Sequence, residues 1–283
     1  MMQESVGVSD VKGVEANVVC DRFSEEGWVT TSVHAPSEMD ITIYINRREL
    51  VTILCTPTKL NCLILGFLSS EGIISDLGDV ASMRVCEDES MADVMLKNAD
   101  YQLPTLRTLT SGCGGGSTFR NEGERVDSDA SVTPAEVFSL MKELQERMEL
   151  YRLSGGVHTA ALSDGKDLLV VAEDIGRHNT LDKIQGECLL RGVPTKDRFI
   201  LCTGRVSSEM LLKAAKMQTP VVVSRHTPTA RAISLARDLD ITLIGHVRGG
   251  RMWVYSMPER LGRPRQDKQL TGWSRAMGAQ KTY

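Results

Sequence analysis

This sequence of 283 residues has few aromatic residues, only short apolar runs and little net charge. Aromatic side chains make up only 5% of the chain, so its core has to be packed from aliphatic residues and methionine. The longest apolar runs, such as 168–172, are far too short to cross a bilayer, and the N-terminus lacks the basic and apolar regions of a secretion signal. We therefore expect a cytoplasmic protein that does not contact a membrane.

The net charge of -4 at pH 7 provides no general attraction to nucleic acid or to anionic lipid. Any site for an anion must therefore be built locally, from a few side chains that the fold brings together. We expect no nucleic acid among the partners of this protein.

Paired cysteines and zinc-ligand motifs are absent as well. The cysteines number seven, they are scattered, and no C-x-x-C occurs, which indicates reduced thiols rather than a disulfide framework. A zinc deaminase would carry H-x-E and P-C-x-x-C, whereas His158 is followed by Thr159 and Ala160. We therefore expect no metal site and a structural role for His158.

The first half of the chain has the pattern of a small β-rich unit with one helix. Alternating isoleucines in "ITIYINRRELVTILCT" (41–56) predict a β-hairpin. Leucines at helical spacing predict a helix with Thr58 as its N-cap and Gly72 at its end. Short strands are expected at 81–86, 93–96 and 106–109.

The second half has the pattern of an α/β domain. A T-x-x-E capping box at Thr133 predicts a helix that continues to Gly155. The segment 158–173 reads as two strands joined by an Asp-Gly turn, and a helix ending at Gly192 follows. From 198 onward, short apolar strands alternate with helices, which predicts a parallel sheet with right-handed crossovers.

These patterns predict an α/β fold class and four consecutive parts of the chain. The parts are a flexible N-terminal arm (1–25), a smaller, mainly antiparallel β-rich part ending in a glycine- and cysteine-containing loop (26–128), an α/β domain that binds the ligand (129–257) and a basic C-terminal tail (258–283).

Arginine and histidine follow the apolar strands of the predicted sheet. Ligands of open α/β sheets bind at the carboxyl ends of the strands, where helix N-termini and arginines suit an anion with more than one phosphate. An alternative to a binding site stays open for two of the segments. Residues 246–251 could be a hairpin turn with solvated arginines, and residues 173–178 could be an ion-pair network. The candidate residues are Arg177, Arg205, Arg225, His246, Val247, Arg248, Gly249, Gly250 and Arg251.

The segment "SGCGGGST" (111–118) surrounds Cys113 with four glycines. A phosphate-binding loop is disfavoured because the lysine of the P-loop motif is missing. A plain surface loop with an incidental thiol is a second interpretation. The third is a reactive thiol on a flexible mount, which could accept sulfur as a persulfide and deliver it to a second site.

Five segments, taken together and in this order, resemble the FdhD family of formate dehydrogenase accessory sulfurtransferases. The resemblance covers about residues 40–257 and leaves out both tails. The segments are "GFLSSEGII" (66–74), "GGVHTAAL" (155–162), "EDIGRHNTLDK" (173–183), "TGRVSSEMLLKAA" (203–215) and "GHVRGGRMWVYS" (245–256).

The resemblance implies a specific function. Members of this family take persulfide sulfur from a cysteine desulfurase and transfer it to the molybdenum–bis(molybdopterin guanine dinucleotide) cofactor before formate dehydrogenase receives that cofactor. The carrier cysteine of the family matches Cys113, and its cofactor-binding segment matches 246–251. The resemblance also implies a cytidine-deaminase-like C-terminal core without a zinc site, and a homodimer.

One departure from the family pattern bears on the mechanism. The second cysteine of the family's loop falls at Gly116 here, so a mechanism that needs two thiols in this loop is in doubt. A carrier with a single cysteine remains chemically sufficient. Two alternatives stay open, which are a non-catalytic chaperone for the molybdenum cofactor and a nucleotide-binding regulator.

Overall fold

The computed structural model describes residues 11–102, 108–109, 117–118 and 123–263. Its strands are β1 (Val14–Ser24), β2 (Gly27–Pro36), β3 (Met39–Ile45), β4 (Arg48–Cys55), β5 (Val80–Cys86), β6 (Met91–Leu96), β7 (Thr108–Leu109), β8 (Ser117–Thr118), β9 (His158–Ser163), β10 (Leu168–Asp174), β11 (Phe199–Cys202), β12 (Val221–Ser224), β13 (Thr242–Arg248) and β14 (Arg251–Val254). Its helices are α1 (Leu60–Ser70), α2 (Pro134–Glu146), α3 (Glu149–Ser154), α4 (Arg177–Arg191), α5 (Ser208–Lys216) and α6 (Ala230–Asp238).

The second half of the chain forms a six-stranded mixed sheet in the order β10-β9-β11-β12-β13-β14. Strands β11, β12 and β13 are parallel, as the alternation of strands and helices predicts, and β9, β10 and β14 are antiparallel to their neighbours. Ala160 and Leu162 pack with α4, α5 and α6, whereas Ala161 packs with α2 on the opposite face. The predicted α/β class is therefore confirmed.

The first half forms a four-stranded sheet in the order β4-β3-β6-β5, covered by α1. The predicted hairpin is the pair β3–β4, with Asn46 and Arg47 in its turn at φ angles of 49° and 66°. The predicted N-cap was wrong by one residue, because Lys59 occupies that position. The hydroxyl of Thr58 instead accepts a hydrogen bond of 3.0 Å from Lys183.

The prediction of a flexible arm over 1–25 was wrong for its second half. Residues 14–24 form β1, which pairs antiparallel with β2 in a separate two-stranded ribbon. The ring centroids of Phe23 and Trp28 lie 5.0 Å apart beside the turn. Cross-strand pairing of this kind orders a segment that looks merely polar when it is considered alone.

The first residues of the predicted basic tail (258–283) belong to the fold of the α/β domain. Residues 258–261 form a 3-10 turn that packs on the α/β domain. The guanidinium of Arg260 donates to the carbonyl oxygens of Asp240 (2.6 Å) and Ser128 (3.1 Å). Arg260 therefore acts as a structural residue.

The helix predicted from Thr133 to Gly155 is divided in two. Its capping box is confirmed, since the amide of Glu136 donates to Thr133 and the carboxylate of Glu136 accepts from the amide of Thr133. The break between α2 and α3 occurs because the carboxylate of Glu173 accepts hydrogen bonds from the first amides of α3, at 149–151. This distant carboxylate makes a new helix start possible within one helical pattern.

Helices α1 and α4 cross at two glycines. A Cβ atom at Gly66 would collide with the backbone carbonyl of Asp182, and one at Gly186 would collide with that of Cys62. Above the crossing, the carboxylate of Asp182 accepts from Ser70 of α1 (2.8 Å) and pairs with Lys213 of α5. The crossing therefore holds the four-stranded sheet against the α/β domain through backbone contact.

We expect Gly66→Ala to lower the free energy of unfolding by about 3 kcal/mol, because the new methyl group forces two helix backbones apart. Urea denaturation would measure the change. Gly192→Ala is the control, since no atom lies within 4 Å of a Cβ there and only its positive φ of 64° costs about 1 kcal/mol. Equal losses at both positions would show that the crossing accommodates a side chain.

Candidate functional site

The carboxyl ends of β10, β11, β12 and β13 lie at one edge of the six-stranded sheet, together with the start of β9. His158 opposes Asp174 in the β9–β10 ladder, and the loop after β11 contacts β9, since the amide of Thr203 donates to the carbonyl oxygen of Thr159 at 2.9 Å. A Cβ atom at Gly204 would lie 3.2 Å from the Nδ1 atom of His158 and 3.3 Å from the Cβ atom of Arg177. Residues from five separate segments are thus brought together, as the sequence predicts for a ligand-binding edge.

The acidic residues that precede Arg177 belong to the structure of this edge. Asp174 is fully buried, and its carboxylate pairs with Lys183 at 2.6 Å. The same carboxylate accepts from the backbone amides of Thr56 (3.1 Å) and Gly176 (2.8 Å). The ion-pair alternative for 173–178 therefore holds for Asp174, which clamps the start of α4 to the first half of the chain.

Three of the predicted arginines lie at this edge with different exposure. Arg177 is buried in the first turn of α4, Arg225 is half-buried directly after β12, and Arg205 is exposed in the loop after β11. Among residues 11–102 and 123–263, no hydrogen bond or ion pair engages the guanidinium groups of Arg205 and Arg225. These two groups are therefore available to an anion from solution.

The predicted segment 246–251 forms the hairpin turn between β13 and β14. Gly249 and Gly250 adopt φ angles of 58° and 67°, which a tight turn requires. Arg248 and Arg251 lie opposite each other in the β13–β14 ladder, and both are exposed. Val247 packs its side chain into the core on the α2 face, so the side chain is not accessible to a ligand. The geometry agrees with a hairpin carrying two solvated arginines, and no hydrogen bond or ion pair engages either guanidinium group within the described ranges 11–102 and 123–263.

His246 at the base of this hairpin has a constrained conformation. Its φ angle is 54°, in the left-handed region, and its Nε2 atom lies 2.8 Å from the hydroxyl of Thr227. Its backbone amide donates to the carbonyl oxygen of His226 at 3.3 Å, and its ring lies 5.7 Å from that of Trp253. Strained backbone of this kind is common at binding sites. The hairpin and the loop after β12 are thus joined directly.

His178 and Glu209 form a half-buried pair beside the arginines. The Nε2 atom of His178 lies 3.0 Å from Glu209 and 3.1 Å from the hydroxyl of Ser207, the N-cap of α5. The hydrogen bond with His178 lowers the pKa of Glu209 below its ordinary value. Glu209 therefore carries its charge at neutral pH and orients His178.

His158, for which a structural role was expected and which was not among the candidate site residues, lines a cleft of about 280 Å³ at this edge. Burial, followed by the nearby charge of Arg177, lowers the pKa of His158, so its imidazole is neutral at pH 7. We call this space the edge cleft, and its lining comprises Met148, Tyr151, Gly155, Gly156, Val157, His158, Thr203, Arg225 and His226.

Cys113, the predicted sulfur carrier, lies outside the described residues, as does Gly116. Cys202 is buried at the end of β11, and burial raises its pKa to about 11. Cys55 and Cys188 are also buried, and burial raises the pKa of each to about 12. These three thiols are therefore protonated and unreactive at neutral pH.

In residues 11–102 and 123–263, no group of three or more His, Cys, Asp or Glu side chains is arranged to hold a metal ion. Across the same residues, every helix is too short or too polar to cross a membrane.

Comparisons with known proteins cover nearly the whole described chain. The sequence profile of the FdhD/NarQ family matches residues 36–262. A protein of Halalkalibacterium halodurans named sulfur carrier protein FdhD is 40% identical over 242 residues, which span 82% of this chain and 90% of that protein. A Staphylococcus aureus protein of the same name is 37% identical, over 85% of this chain and 94% of its own.

One solved structure has a similar fold. It is a Desulfotalea psychrophila protein described as a formate dehydrogenase accessory protein, with a TM-score of 0.75 and 24% sequence identity. The similarity covers 88% of this chain and 99% of that structure. The two chains therefore share their overall fold.

Proposed function

This chain belongs to the FdhD/NarQ family, and we therefore propose that it is a sulfur carrier required for formate dehydrogenase activity. In this proposal, Cys113 receives persulfide sulfur from a cysteine desulfurase. It then passes the sulfur to the molybdenum–bis(molybdopterin guanine dinucleotide) cofactor, which is the cargo of the protein. Support comes from the relatives named sulfur carrier protein FdhD, which this chain matches over at least 90% of their length.

The observation that carries the proposal is the convergence of cationic groups at one sheet edge. Arg177, Arg205 and Arg225 follow α/β strands there, and the hairpin 246–251 adjoins them through the contact between His226 and His246. Arginines in separate loops suit the several phosphates of a dinucleotide, because each guanidinium can bind one phosphate with two hydrogen bonds. The net charge of -4 is compatible with this, since the attraction is local.

A single thiol, that of Cys113, is sufficient for the carrier to accept sulfur. The Cys113 thiolate attacks the outer sulfur of the desulfurase persulfide, so that one S–S bond forms as another breaks and the desulfurase cysteine leaves as a thiolate. No external electrons are needed for this step. Release of the sulfur as sulfide requires two electrons, which two external thiols would supply by forming a disulfide. Gly116, in the place of a second cysteine, therefore leaves the transfer possible.

The proposal also includes the location, oligomeric state, fold and partners of the protein. We propose that the protein acts as a sulfurtransferase in the cytoplasm and as a homodimer. We also propose that the α/β domain has a cytidine-deaminase-like core, which the mixed sheet with parallel β11, β12 and β13 supports. Partners would be a cysteine desulfurase and formate dehydrogenase.

We expect incubation with a cysteine desulfurase and cysteine to add about 32 Da, one sulfur atom, to the peptide that contains Cys113. Mass spectrometry without a reductant would locate the added sulfur. The partly exposed Cys86 is the internal control, and its peptide should keep its mass. Sulfur on Cys86 and none on Cys113 would contradict the proposal.

A second candidate function is a chaperone that binds and delivers the molybdenum cofactor without carrying sulfur. The observation that favours it is Gly116, which removes the second thiol of the family's loop. Such a chaperone would retain the basic sheet edge and would not need Cys113. Absence of the added sulfur, together with full activity after replacement of Cys113, would favour this function.

A further inference from the structure

Two surfaces that do not line the edge cleft expose apolar side chains. The first is the tip of the β1–β2 ribbon, where Phe23 and Trp28 pair across the strands and remain 65% and 73% exposed. The second is a groove of about 490 Å³ beside β14, at the outer edge of the six-stranded sheet. We call it the β14 groove, and its apolar lining includes Phe138, Met252, Trp253, Val254 and Leu261. Exposed apolar surfaces of this kind indicate sites of interaction.

The tip of the ribbon is aromatic on one face and acidic at its turn. Phe23 and Trp28 lie on one face and Arg22 on the other, because side chains alternate along a strand. Glu25 and Glu26 form the two-residue turn between β1 and β2, and both are exposed. Among residues 11–102 and 123–263, no basic side chain pairs with either carboxylate. The tip therefore offers two aromatic rings and two negative charges to a partner.

The base of the ribbon is held against the rest of the chain, whereas its tip is exposed. A Cβ atom at Gly156 would lie 2.8 Å from Pro36, the last residue of β2, and one at Gly13 would lie 2.9 Å from Thr56. A two-stranded ribbon is only marginally stable in water when no further layer covers it. Docking of the tip on a second surface would therefore stabilise the ribbon.

The β14 groove combines an apolar lining with two free positive charges. Arg251 and Arg263 also line it, and both are exposed. In the part of the chain that the structure describes, no carboxylate pairs with either guanidinium group. The indole of Trp253 remains 62% exposed beside them. The groove is therefore complementary to the ribbon tip in polarity and in the sign of its charge.

The two edges of the six-stranded sheet differ in how they are covered. At the β10 edge, the Nζ atom of Lys59 donates to the carbonyl oxygen of Val171 (2.8 Å), and Arg191 donates to that of Leu169 (3.4 Å). Within the described ranges, no side chain donates to a carbonyl oxygen of β14. Side chains that occupy an edge hinder the approach of another chain, so the β14 edge is the accessible one.

The occupant that these observations favour for the β14 groove is a second copy of this chain. Residues 264–283 continue from Arg263 beside the groove, but they contain four basic residues and one acidic residue, so the arginines of the groove would repel them. The ribbon tip has the opposite charge and matching aromatic rings, and it is exposed on its own copy. A tip that fills the groove must therefore come from another copy.

The area available is similar to what a stable dimer needs. In a twofold dimer, each copy supplies one ribbon and one groove, so the contact occurs twice. Because most of each ring of Phe23 and Trp28 is exposed, four rings would lose roughly 400–700 Å² of accessible surface, and the groove walls about as much again. Specific interfaces begin at a total of ~1,200 Å².

We propose that the ribbon tip (23–28) of one copy docks in the β14 groove of a second copy, and that the second copy returns the same contact. Arg251 belongs both to the groove and to the hairpin 246–251, so the partner's acidic turn would lie beside the candidate site. The proposal rests on the proposed function only for the homodimer, and it assigns the surfaces that join the two copies.

We expect the double substitution Glu25→Lys/Glu26→Lys to raise the dissociation constant of the dimer at least tenfold, because like charges would then face each other at both contacts. Sedimentation velocity over a range of protein concentrations would measure the constant. The matched control is Asp88→Lys/Glu89→Lys, which reverses two adjacent exposed acids in the turn between β5 and β6. This control should leave the dissociation constant unchanged.

A compensating substitution tests whether the two surfaces touch. Arg263→Glu should weaken the dimer by itself, and it should restore affinity when combined with the two lysines at 25 and 26. An unchanged dissociation constant in the lysine variant, or a native chain that sediments as a monomer at every concentration, would overturn the proposal. Loss of the dimer on removal of residues 264–283 alone would also overturn it. Sulfur loading on Cys113 can be measured on the same variants, so failure of the carrier function and failure of this interface are distinguishable.

Discussion

Replacing Cys113 by alanine is expected to abolish the activation of formate dehydrogenase in cells that lack the native copy of this protein. The physical reason is that only a thiolate can take the outer sulfur of a persulfide, and the methyl group of alanine forms no S–S bond. We expect the residual formate dehydrogenase activity to fall by at least two orders of magnitude, on the scale of losses seen when a nucleophile is removed. Formate-dependent dye reduction in cell extracts would measure it.

The control for this experiment is Cys86→Ala, which removes a partly exposed thiol from the four-stranded sheet. That variant should support normal formate dehydrogenase activity. Cys202, which burial keeps protonated, could not substitute for the lost carrier. Full activity of the Cys113→Ala variant would exclude the carrier role and would favour the chaperone function.

The second large effect is expected at Lys183, whose side chain is fully buried against Asp174. Lys183→Met should lower the free energy of unfolding by about 3–5 kcal/mol, because it leaves a buried carboxylate without its counter-ion. The substitution also removes the hydrogen bonds to Thr58 and to the carbonyl oxygens of Thr56 and Glu173. Chemical denaturation monitored by circular dichroism would measure the loss.

Lys142→Met is the matched control for this second variant. Lys142 pairs with Glu146 at 3.9 Å on the exposed face of α2, where solvent screens the interaction. Its replacement should change the free energy of unfolding by no more than about 0.5 kcal/mol. Similar losses in both variants would show that the buried pair contributes nothing beyond an ordinary surface pair.

The buried ion pair between Lys183 and Asp174 also affects the edge of the six-stranded sheet where the candidate site lies. Asp174 also accepts from the backbone amide of Gly176, directly before the first turn of α4 that carries Arg177 and His178. The first half of the chain contributes Thr56, whose backbone amide donates to the same carboxylate of Asp174. The clamp therefore positions the basic edge as well as stabilising the fold.

Local patterns in the sequence predicted several elements correctly. The capping box of Thr133 and Glu136 begins a helix because both groups satisfy amides within the same turn. The isoleucines of 41–56 form a hairpin because their alternation matches the pleat of a strand. The alternation of apolar strands with helices predicted the parallel strands β11, β12 and β13. In all three cases, the pattern that predicts the element lies within a few neighbouring residues.

Contacts between distant segments explain the misses. Residues 14–24 become β1 only by pairing with β2, and Glu173 divides a helical pattern from 23 residues away, by capping the amide of Leu150. His158 lines the edge cleft because β9 lies antiparallel to β11, which places its first residue beside Gly204. No local pattern contains such information.

The amino-acid order alone determined the class of the fold, the basic residues that follow the strands and the family to which the chain belongs. These properties can be inferred from the sequence because hydrophobic periodicity, helix caps and family motifs each depend on residues that are close together in the chain. Only the tertiary structure decided that Asp174 and Lys183 form a buried clamp and that His158 joins Arg225 and His226 in one cleft. Burial and strand register are properties of the packed chain, and they set which charges are neutralised and which remain available to a ligand.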